Sequence, residues 1–207
     1  MTNKNSFSIK ESIRFGWETF KKNWQFLAMV SVVIFLVNVI PSWLNNLAEE
    51  SLPGMRFIFS IAGWLLQMVT SIGLIVITLK YVDHKVPKLG DLWEHYSLLL
   101  NYFLSSLIYG LIVLGGIILL IVPGIYFAVK YQFFSYYVVD KKMGAWEAVK
   151  ASGKITTGVK WKLVGFGFVS FGIIILGALA LGIGVIVAMP VVSLAEAYLY
   201  RKLSHKD

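Results

Sequence analysis

The chain has 207 residues, of which 57% are hydrophobic and 14% are charged, with a net charge of +8. A soluble domain averages about 45 to 50% apolar and about 25% charged residues, so this composition excludes one and predicts a single all-α integral membrane domain. The absence of cysteine excludes disulfides, thiolate metal sites and a catalytic thiol.

The first predicted element is an amphipathic helix over about residues 8–23. Its apolar positions recur at spacings of four and three residues: Ile9, Ile13, Trp17, Phe20 and Trp24. Ser8 and Glu11 match a capping box, which marks the start of the helix. A helix with one apolar face directly before a membrane span is expected to lie in the membrane interface. Docking of a protein partner on this helix stays open as an alternative.

Six apolar segments are predicted to span the membrane as three helical hairpins, because a helix needs about 20 apolar residues to cross the hydrocarbon. The predicted spans are about 24–43, 57–79, 102–122, 125–139, 163–181 and 185–200. The third and fourth spans come from one apolar run of 38 residues. This run is expected to reverse at the Pro-Gly pair at 123–124, since proline ends a helix and glycine permits a turn. The last run is expected to reverse around residues 182–184, although Pro190 leaves the turn open as far as residue 190.

The positive charges favour this topology. Seventeen of the nineteen Lys and Arg residues fall in four segments that alternate with the hairpins. These are Lys4, Lys10, Arg14, Lys21 and Lys22; Lys80, Lys85 and Lys88; Lys141, Lys142, Lys150, Lys154, Lys160 and Lys162; and Arg201, Lys202 and Lys206. Because cytoplasmic loops collect cations, both termini are expected in the cytoplasm. The basic face suits anionic lipid headgroups rather than nucleic acid. The opposite loops hold Arg56 beside Glu49 and Glu50.

Two further amphipathic helices are predicted on the cytoplasmic side, at about residues 91–100 and 144–152. The second is expected to turn Trp146 and Val149 inward and to end at Gly153. Amphipathic segments also arise wherever a loop enters a bilayer, so their presence alone does not define a binding site. The residues expected at the membrane surface are Trp17, Lys21, Lys22, Trp93 and Trp146.

The segment from 122 to 162 carries the strongest recognisable pattern in the chain. It contains Pro123-Gly124-Ile125, Val139-Asp140, Lys142-Met143-Gly144, Ala148 and Ser152, followed by a Thr-rich stretch. In this it resembles uncharacterised bacterial multi-pass membrane proteins, including the YciC family and the membrane domain that accompanies glycerophosphodiester phosphodiesterases. The resemblance implies a multi-pass protein of the bacterial inner membrane. The metal-binding acids and histidines of the phosphodiesterase have no counterpart here, so its activity is not carried over.

No catalytic constellation is visible in the sequence. Only one of the eleven acidic residues, Glu196, lies within an apolar run. Asp91, Glu94 and His95 could ligate a metal, but this spacing is more typical of a solvated helix face. The chain contains neither a zinc-protease motif nor a phosphate-binding glycine loop. The sequence therefore predicts a protein that is not an enzyme and has no metal or cofactor.

The fourth predicted span is the most polar one. Lys130 lies inside it, where a lysine costs about 2.5 to 3.5 kcal/mol on insertion. A functional pair between Lys130 and Glu196 is one interpretation, and a lysine that extends to the interface is the other. The candidates to line a cavity or carry function are Lys130, Tyr131, Gln132, Ser135 and Glu196.

The combined pattern predicts a non-enzymatic multi-pass membrane protein in an accessory role in the cell envelope. Its basic cytoplasmic face is expected to contact membrane lipids through anionic headgroups, or a protein partner. Glycines in the third and fifth spans suit close helix packing, either within the chain or in a homo-oligomer. The alternative function is a small transporter or channel lined by the polar fourth helix. The scarcity of ionisable residues at mid-membrane argues against this alternative.

Overall fold

The computed structural model describes residues 7–51, 53–180 and 184–205, and all regular structure in these ranges is helical. The predicted turn at residues 182–183 lies outside the described residues, as do Lys4, Lys206 and the side chains of Glu49, Glu50 and Arg56. The α-helices of the described ranges are α1 (Ile9–Lys22), α2 (Trp24–Ser51), α3 (Pro53–Val82), α4 (Leu99–Leu119), α5 (Ile121–Tyr131), α6 (Phe134–Lys141), α7 (Ala145–Ile155), α8 (Lys160–Leu179) and α9 (Val185–Ser204).

Four segments of the described chain are long and apolar enough to cross a membrane. They are Trp24–Asn46, Phe57–Val82, Leu89–Leu119 and Lys160–Leu179. They correspond to α2, α3, α4 with its preceding turns, and α8. The all-helical class is therefore confirmed, and these four helices indicate a membrane protein.

The turn between α4 and α5 lies three residues earlier than the sequence predicted. Leu120 is the extended residue, with φ −169° and ψ 153°, and α5 begins at Ile121. Pro123 therefore falls in the first turn of α5, where a backbone N–H has no intrahelical acceptor and its absence costs nothing. Gly124 serves packing instead, because a Cβ on the facing Gly116 would lie 2.9 Å from its Cα.

The prediction of one helix over 125–139 was wrong, because the structure divides this stretch into α5 and α6. α5 ends at Tyr131 and α6 begins at Phe134. With 11 and 8 residues, the two helices are about 16 and about 12 Å long. Neither alone reaches across about 30 Å of hydrocarbon. The break is possible because the hydroxyl groups of Ser152 and Thr156 form hydrogen bonds with its backbone.

α9 lies in the interior of the helix bundle and packs against α1, α2, α3 and α8. Five of its side chains are fully buried: Leu194, Ala195, Ala197, Leu199 and Tyr200. The largest hydrophobic core forms where α3, α6, α7 and α9 meet. Because other helices cover it, α9 can carry Glu196 within a largely apolar sequence.

α1 confirms the predicted N-terminal helix and its start. The Ser8 hydroxyl accepts the Glu11 backbone N–H at 3.4 Å. The face that packs on the protein contains the predicted apolar residue Phe20 together with Ser12 and Gly16, which are all buried, whereas Trp17 is 46% exposed. A Cβ at Gly16 would overlap the backbone carbonyl of Val191 on α9. The small residues therefore allow α1 to dock closely and turn Trp17 outward.

Glu11 fixes the docked α1 to the end of α9. Lys202 Nζ donates to one carboxylate oxygen at 2.6 Å, and the Tyr198 hydroxyl donates to the other at 2.5 Å. These two hydrogen bonds lower the pKa of the Glu11 carboxyl. The N-terminal helix is thus held by side-chain contacts with the protein as well as by its apolar residues.

The predicted amphipathic helix at 91–100 is replaced by two short 3-10 turns, Leu89–Leu92 and Tyr96–Leu98. Asp91 is only 1% exposed and pairs with Lys80 at 2.6 Å. The backbone of Leu92 lies so close to Gly73 that a Cβ there would overlap it. Because this turn is packed against α3, it does not form the surface helix that the amphipathic pattern predicted.

α7 forms where a helix was predicted, but with a different orientation and end. It continues past Gly153 to Ile155. Trp146 is 54% exposed rather than inward, whereas Ala148 and Val149 are buried. Gly153 allows close packing, because a Cβ there would lie 2.9 Å from the ring of Tyr131. The glycine therefore marks a helix contact and not a helix end.

Arg201 joins the ends of three helices. Its guanidinium donates to both carboxylate oxygens of Asp83, at 2.8 and 2.6 Å, and lies 2.7 Å from Asp140 on α6. The Tyr200 hydroxyl also donates to Asp140, at 2.9 Å. The hydrogen bonds from Arg201 lower the pKa of Asp83 and raise the pKa of Arg201 itself.

Candidate functional site

Hydroxyl groups of α7 and of Thr156, the residue after it, form hydrogen bonds with the backbone at the break between α5 and α6. The Thr156 hydroxyl donates to the Lys130 carbonyl at 2.8 Å. The Ser152 hydroxyl donates to the same carbonyl at 3.4 Å and accepts the Phe133 N–H at 3.0 Å. Backbone groups without water must find partners inside the protein. The break is therefore a built feature of the fold.

The side chain of Lys130 lies beside its neighbour in sequence rather than beside an acid. Its Nζ is 4.9 Å from the centroid of the Tyr131 ring. Both Lys130 and Glu196 are described, and no ion pair joins them. The specific Lys130–Glu196 pair considered from the sequence is thus not formed in this structure. Tyr126, one turn before Lys130 on α5, lies within electrostatic range of this lysine.

The remaining predicted site residues are divided between α5, α6, α9 and the residues at the break. The Gln132 Nε2 atom is buried without a hydrogen-bond partner, and Ser135 is half-buried. Tyr131 stacks on Phe127 with 6.3 Å between ring centroids. Glu196 is half-buried and within electrostatic range of three tyrosines, Tyr102, Tyr109 and Tyr136. None of the five predicted residues lines either cavity described below.

The larger of these cavities is an apolar groove of about 700 Å³ between α5 and α8. We call it the α5–α8 groove. Its apolar walls include Val122, Ile125 and Val129 on α5 and Val164 and Phe168 on α8. Sequence reasoning missed this groove, although the signal was present. Positions 122, 125, 126 and 129 follow the spacing of one helix face.

The mouth of the α5–α8 groove is basic and aromatic. Lys160 Nζ donates a hydrogen bond to the Tyr126 hydroxyl and lies 4.1 Å from the centroid of that ring. Lys162 and Trp161 are exposed, the tryptophan to 85%. Among the described side chains neither lysine has a carboxylate partner. The groove therefore opens beside two cations that the protein itself does not neutralise.

The predicted surface residues are all exposed. Trp17, Lys21, Lys22, Trp93 and Trp146 all have exposed side chains. Lys21 Nζ lies 5.7 Å from the Trp17 ring, and Lys150 Nζ lies at the same distance from the Trp146 ring. Such pairs place an indole and an ammonium group side by side, as at a membrane surface.

A second, polar cleft of about 290 Å³ separates α2 from α3. The Gln67 side chain donates to Asn38 at 2.8 Å, and Asn45 donates to Ser60 at 3.2 Å. These pairs run in opposite sequence directions, so the two helices are antiparallel. Most of the cleft's polar groups already serve helix packing, and we assign no ligand to it.

No metal centre is formed within the described ranges. No group of three or more His, Asp or Glu side chains there could hold a metal ion. Asp91, one of the three ligands considered from the sequence, is instead paired with Lys80. Within the described residues, Glu11, Asp83, Asp91 and Asp140 form ion pairs with Lys or Arg, whereas Glu196 forms none.

A family described as "Protein of unknown function (DUF975)" matches residues 95–207, which is more than half of the chain. No curated protein and no solved structure matches it. The family match does not confirm the resemblance to YciC or to the phosphodiesterase membrane domain. The matched region contains α4 to α9, and hence the α5–α6 break and the α5–α8 groove.

Proposed function

The chain belongs to the DUF975 family of proteins of unknown function, and we propose that it is a non-enzymatic multi-pass protein that binds anionic membrane lipids. The observation that carries this proposal is the pairing of exposed indoles with lysines, at Trp17 and Lys21 and at Trp146 and Lys150. Neither lysine has an ion-pair partner in the described part of the chain. Both remain available to lipid phosphates, each worth about 1 kcal/mol near an anionic surface.

The proposed topology is six crossings in three hairpins, with both termini in the cytoplasm of a bacterium and the protein in its inner membrane. α2, α3, α4 and α8 supply four crossings. α5 with α6 supplies the crossing between α4 and α8, and α9 supplies the last one. The distribution of seventeen of the nineteen cations supports it. The antiparallel packing of α2 on α3 is also in keeping with a hairpin.

An accessory role fits the way in which the acidic side chains are used. Asp83, Asp91, Asp140 and Glu11 all pair with Lys or Arg. A general acid or base needs a carboxyl group that is free to exchange protons with a substrate. Glu196 forms no ion pair among the described residues, but it lines neither the α5–α8 groove nor the polar cleft, and we propose no reaction for this chain.

The transporter or channel hypothesis retains one specific observation in its favour. Discontinuous helices line the ion and substrate sites of many transporters, and the α5–α6 break is such a discontinuity, with the Gln132 amide lacking a partner. A cysteine scan of residues 126–139 with a water-soluble thiol reagent tests it. A continuous labelled face would favour a pathway, and protection of every position would rule it out.

Lipid preference can be measured by the quenching of the seven tryptophans in reconstituted bilayers. Brominated phosphatidylglycerol and brominated phosphatidylcholine serve as the competing quenchers. We expect the anionic lipid to bind about threefold or more tighter at low salt, with the difference falling at high salt. A variant with Lys21, Lys22 and Lys150 changed to Gln should lose part of this preference. Equal quenching by both lipids in the native protein would contradict the proposal.

A further inference from the structure

We propose that the α5–α8 groove is a binding site for one anionic phospholipid, with an acyl chain between the helices and the phosphate at Lys160 and Lys162. This inference rests on the proposed function in one respect, namely that the ligand is a membrane lipid. It goes further by assigning a defined site, a single occupant and the residues that select its headgroup.

The dimensions of the groove fit one leaflet of a bilayer. From Lys160 at the mouth to Phe168 on the wall, α8 advances by eight residues, which is about 12 Å. Half of the hydrocarbon thickness is about 15 Å. The volume of about 700 Å³ lies in the range of pockets that hold small organic ligands. An acyl chain that enters beside Lys160 would therefore lie along the groove to the depth of Phe168.

The chemistry of the walls changes along the groove as a lipid's own chemistry does. The walls of the groove are formed largely by aliphatic side chains such as Ile125, Val129 and Val164. The mouth carries Trp161, which is 85% exposed, and tryptophan is enriched at the level of the headgroups. Apolar walls alone would accept the acyl chain of any lipid. The arrangement at the mouth is what favours a phospholipid.

Charge complementarity selects an anionic headgroup. Lys160 is held at the mouth by its hydrogen bond to the Tyr126 hydroxyl, so its ammonium group is positioned in advance of binding. Lys162 lies two residues further on, and Lys130 is a third cation, one turn after Tyr126 on α5. No carboxylate neutralises any of the three in the described structure. A phosphate diester without a positive headgroup supplies the missing negative charge.

Native mass spectrometry of the purified full chain in a mild detergent tests the site. The probes are phosphatidylglycerol and phosphatidylcholine with identical chains, and inorganic phosphate as a competitor. The headgroup variant is Lys160→Gln with Lys162→Gln. Its matched control is Lys85→Gln with Lys88→Gln, which removes two exposed charges of the same sign away from the groove. A second variant, Val164→Phe, fills the groove without changing the charge.

We expect the native chain to bind one phosphatidylglycerol more tightly than phosphatidylcholine. In the headgroup variant, the ratio of the affinities for phosphatidylglycerol and phosphatidylcholine should fall about tenfold, as expected when two lysine contacts with an anionic lipid are lost. The Lys85 and Lys88 control should keep it. Val164→Phe should weaken the binding of both lipids. A monodisperse peak of this variant on size-exclusion chromatography would show that the protein is still folded. Inorganic phosphate should compete poorly, because it has no chain to bury.

Several results would contradict the proposal that the α5–α8 groove binds a phospholipid. Unchanged lipid preference in the headgroup variant, or unchanged binding of both lipids to Val164→Phe, would place the lipid elsewhere. Full competition by inorganic phosphate would indicate a free anion as ligand. A dimer that dissociates when the groove is filled would indicate a second copy of the chain. If the native protein shows lipid preference by tryptophan quenching but the headgroup variant is unchanged, only the groove fails. If the native protein shows no preference, the proposed function fails with it.

Discussion

The hydroxyl of Thr156, which directly follows α7, donates a 2.8 Å hydrogen bond to the backbone carbonyl of Lys130, 26 residues earlier in the chain. The bond lies where α5 stops and α6 has not yet begun, so it gives a partner to a carbonyl that a continuous helix would have satisfied itself. The contact holds the end of α5, where Lys130 directly follows the groove residue Val129.

Replacing Thr156 with Val should destabilise the protein by about 1 to 3 kcal/mol, because it removes a hydroxyl without changing the side-chain shape and leaves a buried acceptor poorly paired. Thermal denaturation in detergent measures the loss. Thr157→Val is the matched control, since its hydroxyl bonds only to the Gly153 carbonyl within α7. That control should change stability by less than about 0.5 kcal/mol. Equal losses in the two variants would argue against a special role for the break.

Gly16→Ala should loosen the N-terminal helix, because the added Cβ would overlap the Val191 carbonyl of α9. Overpacking of this kind costs about 1 to 3 kcal/mol. Trypsin should then cleave faster after Lys21 and Lys22 than in the native chain. Gly167→Ala on α8 is the control, since a Cβ there meets nothing within 4 Å. Cleavage at the native rate in Gly16→Ala would show that α1 docks differently.

The Asp83–Arg201 ion pair predicts a loss of stability at acid pH. The pKa of Asp83 is lowered from its ordinary 3.8, chiefly by hydrogen bonds from Arg201. Its contribution is therefore complete above the ordinary value and disappears as the pH falls below it, through the folded-state pKa. Asp83→Asn should flatten this part of the denaturation profile between about pH 5 and about pH 2.

Glu18→Gln provides the control for that pH dependence. Its pKa is also lowered, by a hydrogen bond from Arg14, but the pair is exposed on the surface and such pairs contribute little. The acid profile of this variant should match the native one. An Asp83→Asn variant with an unchanged profile would show that other carboxylates dominate acid unfolding.

The proposed topology can be mapped with single cysteines, because the native chain contains none. Val86 is 85% exposed and Met55 is 39% exposed, and the topology puts them on opposite sides of the membrane. In intact cells, a membrane-impermeant maleimide should label Met55→Cys but not Val86→Cys or Thr157→Cys. The latter two should react only after the membrane is opened. Labelling of Val86→Cys and Thr157→Cys from different sides would contradict the three hairpins.

Local patterns were sufficient to predict much of the fold. The spacing of Ile9, Ile13 and Phe20 predicted α1, and Ser8 predicted where this helix begins. Long apolar runs gave α2, α3, α4 and α8, because length alone decides whether a helix can cross a bilayer. Trp17, Trp93 and Trp146 were also expected at the membrane surface and are exposed, although the helix pattern had turned Trp146 inward.

The features that the sequence did not predict depend on contacts between distant residues. The α5–α6 break is stabilised by Ser152 and Thr156. Arg201 is held by hydrogen bonds to Asp83, which lies 118 residues away. The docked turn at Asp91 needs Gly73 on another helix. The turn at Leu120 was misplaced because a Pro-Gly pair favours both a reversal and a first helical turn. The groove was missed because its second wall belongs to α8.

Binding of anionic lipids can be measured on the lipids that surround the protein in its native membrane. Extraction with a polymer that preserves the adjacent bilayer, followed by lipid mass spectrometry, compares the lipids around the protein with those of the bulk membrane. We expect anionic phospholipid to be enriched around the native chain, and to be enriched less around the variant with Lys160→Gln and Lys162→Gln. A lipid composition identical to the bulk membrane would contradict it.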